Sequence, residues 1–198
     1  MASDDSKDRY FSGENGQPTK AEDHFIKVNA IGYSGERQAS FPKRREGPEG
    51  NVSAQLVRDV ILDKFEHKEF PDWRRNSDDV ILELATVDGN IDLRKQEINC
   101  SLRFLNCQFE KVTFYESSVS GTVEIENCKV IRITLERTNI SGDVTILGCR
   151  GAEIKDKPLE IIVSRAVVKG RKGINFRHVT AKVVKLNGTH VDRHLNFK

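Results

Sequence analysis

Apolar residues in the second half of this chain fall in pairs two apart, and the pairs follow one another at a regular step. Leu102 and Phe104 are followed by Cys107 and Phe109, Val112 and Phe114, then Ser117 and Val119. The run repeats at Val123, Ile125, Cys128, Val130, Ile133, Leu135, Thr138 and Ile140. Cys107, Cys128 and Cys149 stand 21 residues apart, as do Gly121 and Gly142, and the columns Leu93/Phe114/Leu135 and Ile91/Val112/Ile133 keep the same period. A fixed period of this size marks a solenoid, in which each repeat buries its apolar side against its neighbours. Two residues apart means one side of an extended segment, and the gap of three between pairs means a corner. Four short faces therefore make one coil, and stacked coils pair as parallel strands. A helical pattern of three, four and seven is never sustained here.

The pairs Cys107/Phe109, Ser117/Val119, Cys128/Val130 and Thr138/Ile140 resemble the pentapeptide-repeat family, in which a large apolar residue and a small residue two positions earlier point inward. The resemblance covers about residues 89–197. It implies an all-β solenoid, a right-handed parallel β-helix with four faces of five residues. Two departures stand out. The small position often holds Val, Ile or Leu, and one extra residue enters each coil near Cys100, Gly121 and Gly142. Glycine suits a corner that needs positive φ or a close backbone approach. A three-faced β-helix of similar coil length is the alternative fold, and the two–three–two spacing favours four faces.

The register continues to Ile154 and breaks at Lys155–Asp156–Lys157–Pro158, which reads as an extruded loop near residues 155–160, since proline cannot donate to a ladder. It resumes at Ile161, Val163, Ala166 and Val168, and runs through Ile174, Phe176, Val184 and Val191 to Leu195 and Phe197. The final coil carries no obvious cap, and an uncapped solenoid end exposes strand edges. Residues 53–66 predict one amphipathic helix, with Ser53 as N-cap and Leu56, Val57, Val60, Ile61 and Phe65 on one stripe. It is expected to cover the open apolar end of the rod. The organisation is then a flexible polar arm over 1–50, a capping helix and connection over 51–79 that includes Trp73, and the β-helix over 80–198. Within the arm only Phe25, Ile26, Val28, Ala30 and Ile31 look able to dock, on a partner or a neighbouring copy; the alternative is a disordered tail.

Composition sharpens the functional reading. The net charge is +2, but residues 150–198 carry twelve Lys/Arg against four Asp/Glu, while 51–149 are net acidic. Arg165, Lys169, Arg171, Lys172, Arg177, Lys182, Lys185 and Arg193 fall mostly at outward positions, with His178, His190 and His194 nearby. Such a field attracts an acidic protein surface or nucleic acid. No aromatics are interleaved there to stack bases. There is no phosphate loop or nucleophile elbow, and His190 and His194 need not share a face on a turning coil. The Cys column is expected to be small apolar filler, with Cys100 at a corner and more exposed. No catalytic residue, cofactor or metal is expected.

No apolar run approaches the length of a membrane span, no signal peptide is evident, and a cytoplasmic location follows as an expectation. The expected function is a non-catalytic protein-binding or assembly module, a bacterial scaffold or regulatory subunit. It would contact a protein partner or another copy through its basic C-terminal coils and N-terminal arm. Nucleic-acid binding through the basic end is the alternative. Mimicry of duplex DNA to inhibit topoisomerase is a lesser one, implied by the resemblance and opposed by the basic final coils.

Overall fold

The computed structural model describes Phe11 and residues 17–30, 51–66, 75, 78–151 and 157–198. The strands of 79–197 wind into a parallel β-solenoid of about five coils. The second coil contains strands Ser101–Leu105, Gln108–Thr113 and Ser118–Val119, and the third Val123–Glu126, Lys129–Thr134 and Asn139–Ile140. All named pairings are parallel, and they form three sheets. The four inward pairs per coil thus map onto three hydrogen-bonded sheets rather than four. The six-residue strands explain the difference: Phe109 and Val112 both point inward from Gln108–Thr113, with Glu110 and Lys111 between them.

The 21-residue step appears as direct pairing, Leu102 with Val123 and Lys129 with Gln108. The interior of the middle coils is apolar: Phe114, Val123, Ile125, Ile133, Leu135 and Ile146 are fully buried. After the third coil the step lengthens to 28, Arg132 pairing with Glu160. The extra residues fall around the expected Pro158 break, where residues 152–156 lie outside the described set.

Corners are built in two ways. Lys95, Glu116, Arg137 and Arg165 form a column with φ between 52° and 55°, the left-handed region that costs a side chain energy. At another corner glycine answers crowding. A Cβ on Gly142 would lie 2.6 Å from the carbonyl of Gly121, which accepts the Gly142 N–H at 3.1 Å. Of the two reasons the sequence offered for glycine there, the close approach is the operative one.

The Cys column shows what the small inward position does. Cys128 Sγ donates to the carbonyl of Phe104, 24 residues back, at 3.4 Å, and Cys149 does the same to Ile125 at 3.3 Å. Ser117 Oγ donates to Leu93 at 2.5 Å, and Thr138 Oγ1 reaches the Phe114 carbonyl. These residues are buried. Each of these side chains also donates to the carbonyl two residues before it. Filler is therefore an incomplete account of these cysteines. Cys100 also corrects an expectation. It is 3% exposed, its thiol accepts a contact from Arg75 Nη1 at 3.1 Å, and burial pushes its pKa up to about 11.

The N-terminal end of the rod is sealed by two helices. Helix α2 (Ala54–Ile61) packs Leu56, Val57, Val60 and Ile61 over the first coil. It is shorter than the predicted 53–66 because Asp63 turns left-handed at φ 57°, although Phe65 beyond it is still buried. Ser53 occupies the N-cap position without a side-chain cap bond. It belongs instead to the strand Asn51–Ser53, which pairs with Thr86–Asp88, and its N–H donates to Glu22 Oε1 at 3.3 Å.

Helix α1 (Lys20–Val28) lies in the stretch expected to be an arm. Thr19 and Glu22 form a capping box, and Phe25 and Ile26 are buried within the chain's own core. The two residues expected to meet a partner therefore meet the rod. Trp73 and Ile31 lie outside the described residues. No helix among the described residues is long and apolar enough to cross a membrane.

Candidate interaction surface

The two ends of the rod are chemically opposite. At the N-terminal end Asn29, 1% exposed, follows α1 and completes the first strand edge. Its Oδ1 accepts the Ile81 N–H at 2.7 Å and its Nδ2 donates to the Ile81 carbonyl at 2.9 Å, as a neighbouring strand would. His24, on the same helix, meets Glu83 at 3.5 Å. That hydrogen bond, with the charges of His24 and Arg103, holds the Glu83 carboxyl below its ordinary value against the opposing effect of burial. A strand pairs along the adjoining sheet edge and two helices cover the apolar lumen.

At the other end the strands Ala181–Lys185, His190–Val191 and Leu195–Phe197 are the last members of the three sheets. Their inward side chains continue the core columns, yet Val184 is 40%, Leu195 45% and Phe197 56% exposed, with no coil over them among the described residues. Phe197 stacks on Phe176 with ring centroids 5.0 Å apart. An open groove of about 380 Å³ runs between Phe176, Val179, Ala181, Val184, Phe197 and Lys198.

Arg165, Lys169, Arg171, Lys172, Arg177, Lys182, Lys185 and Arg193 are all exposed. They do not share one face. Arg165 occupies a left-handed corner, and Lys182 and Lys185 belong to one sheet. Arg177 closes the strand Ile174–Arg177 of another. Lys169, Arg171, Lys172 and Arg193 lie at the turns entering that sheet. The Lys172 and Gly173 N–H groups are fixed by Asp143 Oδ1 at 2.7 and 3.0 Å. The basic residues form a collar around the open end, a shape that linear spacing does not reveal.

In the middle coils cations meet carboxylates one coil away: Arg103 with Glu124 at 2.7 Å, Arg132 with Glu160 at 2.6 Å and Arg137 with Glu116 at 2.8 Å. The hydrogen bond from Arg137 leads in holding Glu116 below the usual carboxylate range. Among the described residues none of the eight collar cations has such a partner, and Asp192 pairs with His190 at 3.0 Å.

A second cavity, of about 620 Å³, lies beside α2, lined by Gln55, Arg58, Asn90, Asp92, Arg94 and Tyr115. Its charges are already matched, Arg94 binding Asp92 through two nitrogens and holding that carboxyl low, and Arg58 Nε donating to the Asp92 carbonyl. No group of three metal-ligating side chains occurs among the described residues. Compared with protein-family models, curated proteins and solved structures, the chain matches none.

Proposed function

We propose that the chain is a non-catalytic protein-binding module, a divergent pentapeptide-repeat rod that holds an acidic partner at its C-terminal end. One observation carries this reading: eight exposed cations with no ion-pair partner among the described residues lie around the exposed apolar side chains Val184, Leu195 and Phe197. An apolar centre inside a charged rim is the anatomy of a protein interface, with steering supplied by the rim. The pentapeptide component rests on the four inward pairs per coil, with Cys, Ser or Thr at the small position beside a large apolar residue. Among the described residues the thiols are buried against carbonyls and the His190–Asp192 pair stands without a nucleophile, which favours binding over catalysis.

The collar would also suit a nucleic acid. That reading lacks stacking aromatics on the outer wall, and it leaves the apolar end unexplained. DNA mimicry is favoured less, since Glu124, Glu160 and Glu116 are neutralised by arginines.

The test compares the native chain with a variant carrying Arg171→Glu, Lys172→Glu, Arg177→Glu and Lys185→Glu, using purification from source cells and identification of co-eluting molecules. The variant should fold normally, because exposed charges away from packing usually change stability by less than about 0.5 kcal/mol. It should lose a protein that the native chain retains. Retention of that partner at unchanged salt dependence refutes the collar as its contact, and salt-dependent retention of nucleic acid alone supports the other reading.

A further inference from the structure

We infer that the rod associates side by side with a second copy of this chain, the outward face of one sheet against the outward face of another. The inference does not depend on what the collar binds. Its first support is the distribution of charge around the rod. The sheet of Gln108–Thr113, Lys129–Thr134, Leu159–Ile162 and Ala181–Lys185 turns Lys111, Lys129, Arg132, Arg150, Lys182 and Lys185 outward, with Glu110 and Glu160 among them. The sheet of Asp79–Glu83, Ser101–Leu105 and Val123–Glu126 turns out Asp79, Glu83, Glu124 and Glu126, with Arg103 among them. Arg132 engages Glu160 and Arg103 engages Glu124, and each face keeps a surplus of its own sign.

The second support is that like charges are set together. Lys111 pairs in register with Arg132, and Lys129 with Arg150. Like charges on adjacent strands repel, and these side chains contribute nothing to the lumen. On the other face Glu126 lies two residues from Glu124 on the same side of its strand. Burial, and then the Glu124 charge, raises the Glu126 carboxyl above its ordinary value.

The third support is that both faces belong to one solenoid. Their rows share the strand spacing of about 4.8 Å, so a row of one face can lie along a row of the other. Each face also carries outward aliphatic side chains between its charges, Ile131 and Ile162 on the basic one, Leu105 and Leu147 on the acidic one. Ile131 and Leu105 are the buried apolar residues that do not join the core. The chain thus supplies the complement to each of its own faces, an apolar middle with opposed charges around it. Because two different faces meet, the contact is heterologous, and every copy keeps one face of each kind for the next. About four strands of about 20 Å present about 400 Å² per copy, the size of a weak, salt-sensitive contact.

Sedimentation velocity of the full chain, up to about 200 µM, reads the association at about 50 and about 500 mM salt. The native chain should associate, and at least about tenfold more weakly at the higher salt. Lys111→Glu with Lys129→Glu reverses the basic face. It sets opposite charges beside Arg132 and Arg150, so circular dichroism should show a native fold. Asp79→Lys with Glu126→Lys reverses the acidic face. Each double variant alone should associate at least about tenfold more weakly than the native chain, and an equimolar mixture of the two should regain the native affinity. Lys111→Gln with Lys129→Gln should give an intermediate loss, and carries the test if a reversal disturbs the fold. Arg171→Glu with Lys172→Glu changes the net charge equally but lies off both faces, and should leave self-association unchanged.

A native chain that stays monomeric over this range overturns the inference. Association that survives either face reversal, or that the mixture does not restore, overturns it too. So does association abolished by Arg171→Glu with Lys172→Glu, which would assign it to the collar. A DNA duplex held by the monomeric chain and released by Lys111→Glu with Lys129→Glu would give the basic face to a polyanion instead.

Discussion

Replacing Cys128 separates two accounts of the inward column. Cys128 is fully buried, and its thiol bonds the Phe104 carbonyl of the preceding coil at 3.4 Å and the Glu126 carbonyl at 3.3 Å. If the thiol were only filler, Cys128→Ala would cost a small volume defect, and Cys128→Ser would be the worse change because it brings a hydroxyl into an apolar tube. If the thiol caps a carbonyl, the order reverses. Alanine would take a donor from a buried carbonyl, a loss of about 1 kcal/mol, and the deleted sulfur adds about as much again.

Cys128→Ala should therefore lose about 2 kcal/mol of a total that for a domain is about 5–15 kcal/mol. Serine supplies the donor that Ser117 supplies to Leu93 one half-coil earlier, and should lose under about 1 kcal/mol. Urea titration followed by circular dichroism reads both midpoints. A serine variant less stable than the alanine variant, or an alanine variant indistinguishable from the native chain, would refute carbonyl capping.

Three further outcomes follow. Gly142→Ala forces a Cβ against the Gly121 carbonyl at 2.6 Å and should destabilise by about 1–3 kcal/mol in thermal melts; a neutral result would show that the corner relaxes freely. Thiol reagents should modify none of Cys100, Cys107, Cys128 and Cys149 rapidly in the folded chain, and fast reaction at Cys100 would contradict its burial. Glu83, held low chiefly by the hydrogen bond from His24, contributes stability that is complete above the ordinary glutamate value of 4.5 and is lost as pH falls through its lower folded value. Hydrogen exchange of α1 should accordingly accelerate below about pH 4.5. In Glu83→Gln that acceleration should vanish, with exchange already raised at neutral pH; an unchanged pH profile would exclude this pair from docking the helix.

Much of the rod was legible because a solenoid writes its packing into a short period. Phe104, Val112, Leu135 and Ile146 sit inside as their spacing required. The number of sheets was not legible, because a strand that bends between Phe109 and Val112 has the same inward pattern as two strands. Helix α1 was missed although its signal was present: Thr19 and Glu22 are a capping-box pair, and Ala21, Phe25 and Ile26 make one stripe. Composition averaged over fifty polar residues hid nine helical ones. The outward charges were identified, but their arrangement as a collar depends on where three corners turn. The amide of Asn29 acting as a strand left no sequence trace, since one asparagine after a helix has many uses.

Contact between adjacent layers alone has a consequence for how such a rod behaves as a material. In a stack where each layer touches only its neighbours, order is propagated layer by layer and cooperativity decays along the axis. The capped first coil is a fixed template, and the strands Ala181–Lys185, His190–Val191 and Leu195–Phe197 have a described neighbouring strand on one side alone. Protection from exchange should therefore descend toward Lys198. A molecule bound to the last described coil would stiffen that coil strongly, the one behind it less, and leave α1 and α2 untouched. The rod would register occupancy as a local change in fraying rather than transmit it to its far end.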